Sequence, residues 1–399
     1  MSLLLAARPP HVPAEAVFDF DIEHDLLLRD EPHRGVSRLQ HLAPELFFSP
    51  RHGGNWIARG HDVIHEVMQN ADLFFSGGFE HRLLPIHANP PEHVGYRKVL
   101  LTAFSPKVVS GLFPLIDGLA AELIDAAVPQ GACDFVSAVA EPLPVTVFMN
   151  MLGIPLELMA PIRELVVAAL RTSDLARRNE LFNRQLELFD PIIKSHLDKR
   201  HDDMLDVVVN SQVNGRAPDF EELRGYLLLL ADAGLDTVVN AMSFSVQHLA
   251  RDLELQARLR AQPELISQAV EEFLRCYAPS TITRYATRDT VLRGNKIAAG
   301  DRIILLLPAG NLDAAVFPDP CAVDLERQTP MLTFGTGIHR CLGSHLARVE
   351  MRVVLTQWLA RVPEFTLDQA HPVRSYAGMV YGIEELALTW SVAASQRLH

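Results

Sequence analysis

The sequence predicts a mainly α fold with small β regions, built as a single domain over residues 1–399. Three observations carry that reading. Apolar residues recur every three or four positions through long segments, stretches with strand character are short, and no repeat, linker or low-complexity tract breaks the pattern. Helical spacing runs over about 92 to 103, 106 to 128, 155 to 172, 178 to 200, 219 to 250 and 344 to 361. Strand character is confined to Asn55–Ala58, Thr281–Thr287, Arg302–Leu306 and Leu386–Trp390. Residues 8–50, rich in Pro and His, read as an irregular arm with one helical turn.

With 48% hydrophobic and 21% charged residues the composition is that of a globular chain, and disordered or fibrous classes are excluded. A formal net charge of −13 argues against broad nucleic-acid binding, which depends on clustered Lys and Arg. The apolar run Leu3–Ala7 is too short for a signal peptide or membrane span. Four scattered cysteines, Cys133, Cys276, Cys321 and Cys341, do not make a disulfide framework, so a reducing cytoplasm is expected.

The longest helical pattern opens with Asp219 and Glu222, spaced as a capping box, and continues through Leu223, Leu227, Leu230, Gly234, Val238 and Met242. Inside it lies Ala233-Gly234-Leu235-Asp236-Thr237. A glycine there costs about 1 kcal/mol against alanine, and the aspartate must be paired or desolvated. Either a kink at close packing or a functional site explains such a sequence.

Phe334-Gly335-Thr336-Gly337-Ile338-His339-Arg340-Cys341-Leu342-Gly343 stands directly before an amphipathic helix with Leu346, Val349, Val353 and Trp358. Glycines permit positive φ and close approach, and amides at a helix start stabilise a thiolate. This is a thiolate site by construction. A dinucleotide loop fails because Arg340 occupies the place of the third glycine. A zinc site from His339, Cys341 and His345 lacks a fourth ligand, and a catalytic thiol with His339 or His345 as base stays open.

The same loop resembles the haem-binding segment FGxGxHxCxG of the cytochrome P-450 monooxygenases, and the likeness extends over nearly the whole chain. Ala233–Thr237 resembles that family's oxygen-activating motif, Glu272-Phe273-Leu274-Arg275 its ExxR motif, and His93 with Arg97 its HxxxR pattern. Gly234–Asn240, Gln212–Arg216 and Pro10–Pro13 are similar to the bacterial camphor 5-monooxygenase family. The resemblance implies the cytochrome P-450 fold, with haem b between the long central helix and the cysteine-loop helix. Cys341 would bind the iron, and Leu342 and Gly343 would donate amides to the sulfur. His93, Arg97, Arg284 and His339 would hold the haem propionates. Glu272, Arg275 and Arg327 would form a structural ion network.

Asp236 and Thr237 would relay protons to the distal side of the haem. The substrate pocket would combine Phe79, Leu229, Ala233, Ser280, Ile282, Met379 and Val380, which selects a small lipophilic compound. Two departures from the camphor enzymes point to a terpenoid or ionone-like norisoprenoid instead of camphor. The loop from Ser76 to Asn89 lacks a tyrosine, with His81 nearest its place, and Asp232 stands where those enzymes have an aliphatic residue. With no fused redox domain, electrons would come from a [2Fe-2S] ferredoxin and an NADH-dependent flavoprotein reductase, docking near Lys98, Arg340 and Arg348. Camphor hydroxylation proper is one alternative. A peroxide-driven peroxygenase is another, but it usually replaces the acid-alcohol pair; a haem carrier or gas sensor needs no relay.

Overall fold

Helical periodicity is realised where one apolar face can be buried, as seen in a computed structural model that describes residues 5–78, 80–172, 174–328 and 330–392. Phe79 lies outside these residues. Helices span His93–Ala103, Met159–Leu170, Leu175–Asp198 and Ser344–Arg361, close to the predicted bounds. The segment 106 to 128 divides instead into Pro106–Gly111 and Phe113–Ala127, and the stretch His93–Gly111 is bent by 60° against Phe113–Gln130. Pro114 at the start of the second helix has no N–H to continue the first. The arm before residue 50 holds more structure than expected: a helix over Pro32–Leu39 and a strand over Leu46–Ser49. Helices Pro142–Leu152, Leu253–Ala261 and Ile266–Cys276 were not distinguished by spacing alone.

The principal sheet has five strands in the order Leu46–Ser49, Asn55–Ala58, Arg302–Leu306, Thr281–Ala286 and Phe74–Phe75. Thr281–Ala286 runs antiparallel to Arg302–Leu306, with Ile282 opposite Leu305 and Arg284 opposite Ile303. Side chains alternate along a strand, so Ile282 and Arg284 share a face with Ser280 just before it. That face lines the interior cavity, to which the helix Ser344–Arg361 also contributes. Leu346, Val353, Val354 and Trp358 anchor this helix, and the Trp358 ring meets Phe135, Phe365 and Trp390 edge-on with centroids 4.9, 5.7 and 5.7 Å apart.

The expected central helix is present but split, into Phe220–Gly234 and Thr237–Arg251. Asp219 accepts from the Glu222 N–H at 2.9 Å and Glu222 returns the bond to Asp219 N–H at 2.8 Å, completing the capping box. At the break Asp236 adopts φ −128° and leaves the helical ladder. Gly234 lies where a Cβ would stand 2.7 Å from the Phe148 ring, so glycine is required for close packing there. The Thr237 hydroxyl donates to the Ala233 carbonyl at 2.9 Å, filling part of the interrupted turn. The stretch Phe220–Arg251 is long and apolar enough to cross a membrane, and 78% of its apolar window is buried inside the protein. Across its first half, the Leu84 N–H donates to the Gly225 carbonyl at 3.1 Å. A Cβ at Gly225 would stand 2.2 Å from the Arg82 carbonyl oxygen.

Candidate active site

The cysteine loop is shaped by its own backbone. Cys341 N–H donates to the Phe334 carbonyl and Gly335 N–H to the Leu332 carbonyl, each at 2.8 Å. Gly335 and Gly337 hold φ of +65° and +70°, and a Cβ on Gly337 would lie 2.7 Å from the Met68 carbonyl. Residues with side chains are strained or blocked at these places. Burial pushes the Cys341 thiol up, while the amides of Gly343 and Ser344 and the guanidiniums of Arg97 and Arg348 act to stabilise its thiolate. Although Cys341 retains accessible surface, that surface faces a cavity of about 300 Å³ inside the fold.

Across the cavity stands the helix break. Leu229, Ala233 and Thr237 present one face of it, and Ser280, Ile282 and Phe148 continue the wall. One rim is cationic. Arg284 is buried, and among the described residues its side chain hydrogen-bonds to the Thr283 carbonyl at 2.8 Å; burial alone brings it down to about 10. Arg97 donates to the Arg340 carbonyl. His93 and His339 lie ring to ring at 4.8 Å, and the Nε2 of each is buried without a partner among the described residues. Burial, then the neighbouring Arg284, brings His339 down to about 3. None of these four groups forms an ion pair among the described residues. Cationic groups and buried ring nitrogens left without ion-pair partners among the described residues call for an anionic guest. A flat group bearing two carboxylates and an iron for the sulfur fits this donor set, which is what haem b offers.

Asp236 does not line the cavity. Its carboxylate is buried behind the break, accepting from Asn240 Nδ2 at 3.0 Å and Tyr376 Oη at 3.3 Å. Burial raises it, partly offset by Arg171 and Arg163. Arg171 stacks on the Tyr376 ring at 3.8 Å and pairs with Glu384 at 2.7 Å, where both side chains reach solvent. Gly382 makes room for this, since a Cβ there would stand 2.2 Å from Tyr376 Oη.

Four expected pocket contacts need correction. Asp232 points from the same helix toward Arg178 and Gln185 of Leu175–Asp198, because a step of one residue from Ala233 turns it away from the cavity. It is buried, one of its oxygens lacks a partner among the described residues, and burial lifts it to about 7. His81 lies outward, with Nε2 2.9 Å from Asn183 Oδ1 and its ring edge-on to Phe182. Met379 and Val380 stand at the cavity edge, held by a bridge between Ser280 and Val380, and do not line it. Nor is Arg348 a free docking charge: it is held in a two-point ion pair with Glu271 and stacks on Phe334 at 4.4 Å. Lys98 and Arg340 are exposed.

His339, Cys341 and His345 form no metal-ligating cluster among the described residues. The ExxR network forms as expected, with Arg275 donating to both oxygens of Glu272 at 2.8 and 2.9 Å and Arg327 joining at 3.2 Å. Sequence spacing missed Glu350. It is a buried cavity-lining acid, two turns along the cysteine-loop helix, and burial lifts it to about 8. A charged residue on the apolar stripe with Leu346 and Val353 was the available signal.

The sequence pattern of the family described as Cytochrome P450 matches residues 148–379. "Probable cytochrome P450 127A1" of Sinorhizobium fredii is 32% identical over 96% of this chain and 97% of that protein. The steroid C26-monooxygenase of Mycolicibacterium smegmatis is 31% identical over 94% of this chain and 97% of that protein. Among solved structures, CYP101J2 superposes with TM-score 0.87 at 32% identity, covering 97% of this chain and 100% of that one. CYP101C1 gives 0.87 at 31% identity over 96% and 100%. By this family match and by relatives at 31–32% identity over nearly their whole length, the chain belongs to the cytochrome P450 family, as a bacterial-type monooxygenase whose cofactor is haem b.

Proposed function

We propose that this P450 hydroxylates a small lipophilic cyclic compound, a terpenoid or ionone-like norisoprenoid. The observation that carries the reading is the wall facing Cys341, which is aliphatic and aromatic from Leu229 and Ala233 to Ile282 and Phe148, with Ser280 as a polar contact beside them. Such a surface holds its guest by shape and burial, at about 25 cal/mol per Å² of apolar area removed from water.

Haem b bound through the Cys341 sulfur supplies the chemistry that cleaves dioxygen and oxidises an unactivated carbon. The residues do the rest. Arg97, Arg284, His93 and His339 bind the propionates, pairing their own desolvated donors. The Gly343 amide holds negative charge on the sulfur. Thr237 holds a proton at its Oγ1, whose lone pairs stay free because its hydrogen is given to Ala233. Asp236 moves protons between that hydroxyl and solvent, with Tyr376 hydrogen-bonded to its carboxylate and the Arg171–Glu384 pair standing on the solvent side. The apolar wall keeps other water out, so protons arrive by this route.

Any P450 monooxygenase needs O2 and reducing partners; here we assign a [2Fe-2S] ferredoxin with an NADH-dependent flavoprotein reductase, supported by the likeness to the 101-series structures. Lys98 and Arg340 are the exposed cations for its docking. A single domain working in the cytoplasm belongs to the same proposal, supported by one hydrophobic cluster that runs from Phe20 to Trp390.

The test is a screen of cyclic terpenoids for the low- to high-spin shift in the absorption of the purified enzyme, followed by product analysis with ferredoxin, reductase and NADH. Binding and coupled hydroxylation of a monoterpene or ionone support the reading. Camphor alone giving a complete shift and coupled turnover overturns the substrate assignment, and turnover with peroxide but not with ferredoxin overturns the electron source.

A further inference from the structure

Outside the cysteine cavity, three side chains converge at the turn between the helices Leu175–Asp198 and Met204–Val209. His196, His201 and Asp203 each present a metal-ligating type of atom, and the three atoms lie within 4.8 Å of one another. His196 is buried, with Nδ1 2.8 Å from the Ile192 carbonyl and Nε2 2.8 Å from Asp203 Oδ2. A carbonyl oxygen only accepts, so Nδ1 carries a proton. In the neutral ring the Nε2 lone pair then faces a carboxylate, acceptor against acceptor, and a positive centre between them is required. That centre is a second ring proton or a metal ion.

Surrounding groups favour the metal. The His201 ring stacks on that of His196 with centroids 4.1 Å apart, and its Nε2 lies 3.1 Å from Ser195 Oγ. Asp206 lies beneath the turn, its Oδ2 accepting from the His201 and Asp202 amides at 2.6 Å each, while its buried Oδ1 has no partner among the described residues. Two carboxylates thus surround two imidazoles. Asp203 can approach only because Gly153 is a glycine: a Cβ there would stand 1.9 Å from Asp203 Oδ2.

We infer that His196, His201 and Asp203 form a binding site for a divalent transition-metal ion of the zinc type, with solvent completing its shell. Two imidazoles and one carboxylate match zinc, whereas magnesium and calcium prefer oxygen alone. The Ile192 carbonyl on the far nitrogen of His196 is the arrangement that orients metal-bound histidines. A bound ion would fasten the end of one helix to the start of the next, away from the chemistry of the haem.

The experiment uses the haem-loaded enzyme, which keeps Cys341 out of the titration, stripped with a chelator and titrated calorimetrically with Zn²⁺ alone. One equivalent binds the parent protein and raises its unfolding temperature. His201→Ala, altering an exposed ring, and Asp203→Asn each weaken that binding at least about tenfold and cancel the thermal gain. His371→Ala, from the exposed pair with Asp368 at 2.7 Å, leaves both unchanged. Absence of a bound equivalent in the parent, or affinity unchanged in both His201→Ala and Asp203→Asn, overturns the site and leaves His196 and Asp203 as an ion pair.

Discussion

The two sides of the cavity are built in different ways. Around Cys341 a ten-residue loop makes its own hydrogen bonds and holds its own glycine turns, so its chemistry is local. Opposite it, Thr237 and Asp236 depend on Phe148, Tyr376, Gly382 and Arg171, brought in from remote parts of the chain. A fixed charge can be written in one stretch of sequence. Proton exchange with solvent needs a path through the fold, and several segments must agree to form it.

Removing the local side altogether has the largest effect. Cys341→Ser leaves at best a weak oxygen ligand, and the reduced carbon monoxide complex loses its strongly red-shifted band together with all measurable monooxygenation. The remote side breaks by degrees. Asp236→Asn slows turnover by about 10²-fold while product still matches oxygen consumed, because a proton route is lengthened and the oxygen-side hydroxyl is kept; equal rates in parent and variant would remove Asp236 from the path. Thr237→Ala instead keeps NADH and oxygen consumption within several-fold of the parent and diverts most of it to hydrogen peroxide, measured by the ratio of product to NADH. Tight coupling in that variant contradicts its role.

Asp232 sharpens the contrast, since it lies four residues before Asp236, in the helix that ends at the break, but is sealed against Gln185 and Arg178. Its folded value of about 7 exceeds the unfolded 3.8, so between those pH values the native state holds the extra proton. Stability from this group is full below the unfolded value and is lost as pH rises through about 7. Asp232→Asn removes the penalty, raising the unfolding temperature at pH 8 on the order of 2–4 °C with little change at pH 4. The pH profile of turnover stays where it was; a displaced profile would place Asp232 in the chemistry.

The same division explains what could be read beforehand. The loop Phe334–Gly343, the capping box at Asp219 and the ExxR pair are short-range patterns, and each is found as read. The helix break was legible only as a costly Gly-Leu-Asp, because what requires the glycine is the ring of Phe148, packed against Gly234 from elsewhere in the chain. Asp232 and His81 were misplaced for a related reason: whether Asp232 faces the cavity or a neighbouring helix depends on a rotation of one residue, and Leu175–Asp198 lying alongside takes up both Asp232 and the loop residue His81. Tyr376 carried no signal at all, since a lone tyrosine in a short strand gains its meaning from Asp236 far away in the chain.

Pro85 and Ile86, which roof the cavity, are tied down through the Leu84 amide on the Gly225 carbonyl. That latch is made of main chain on both sides, so its stiffness is insensitive to most changes of side chain. Gly225 is the exception: any larger residue would meet the Arg82 carbonyl and force the two segments apart. Variation in the side chains of the roof can therefore reshape the cavity while this main-chain tie stays the same.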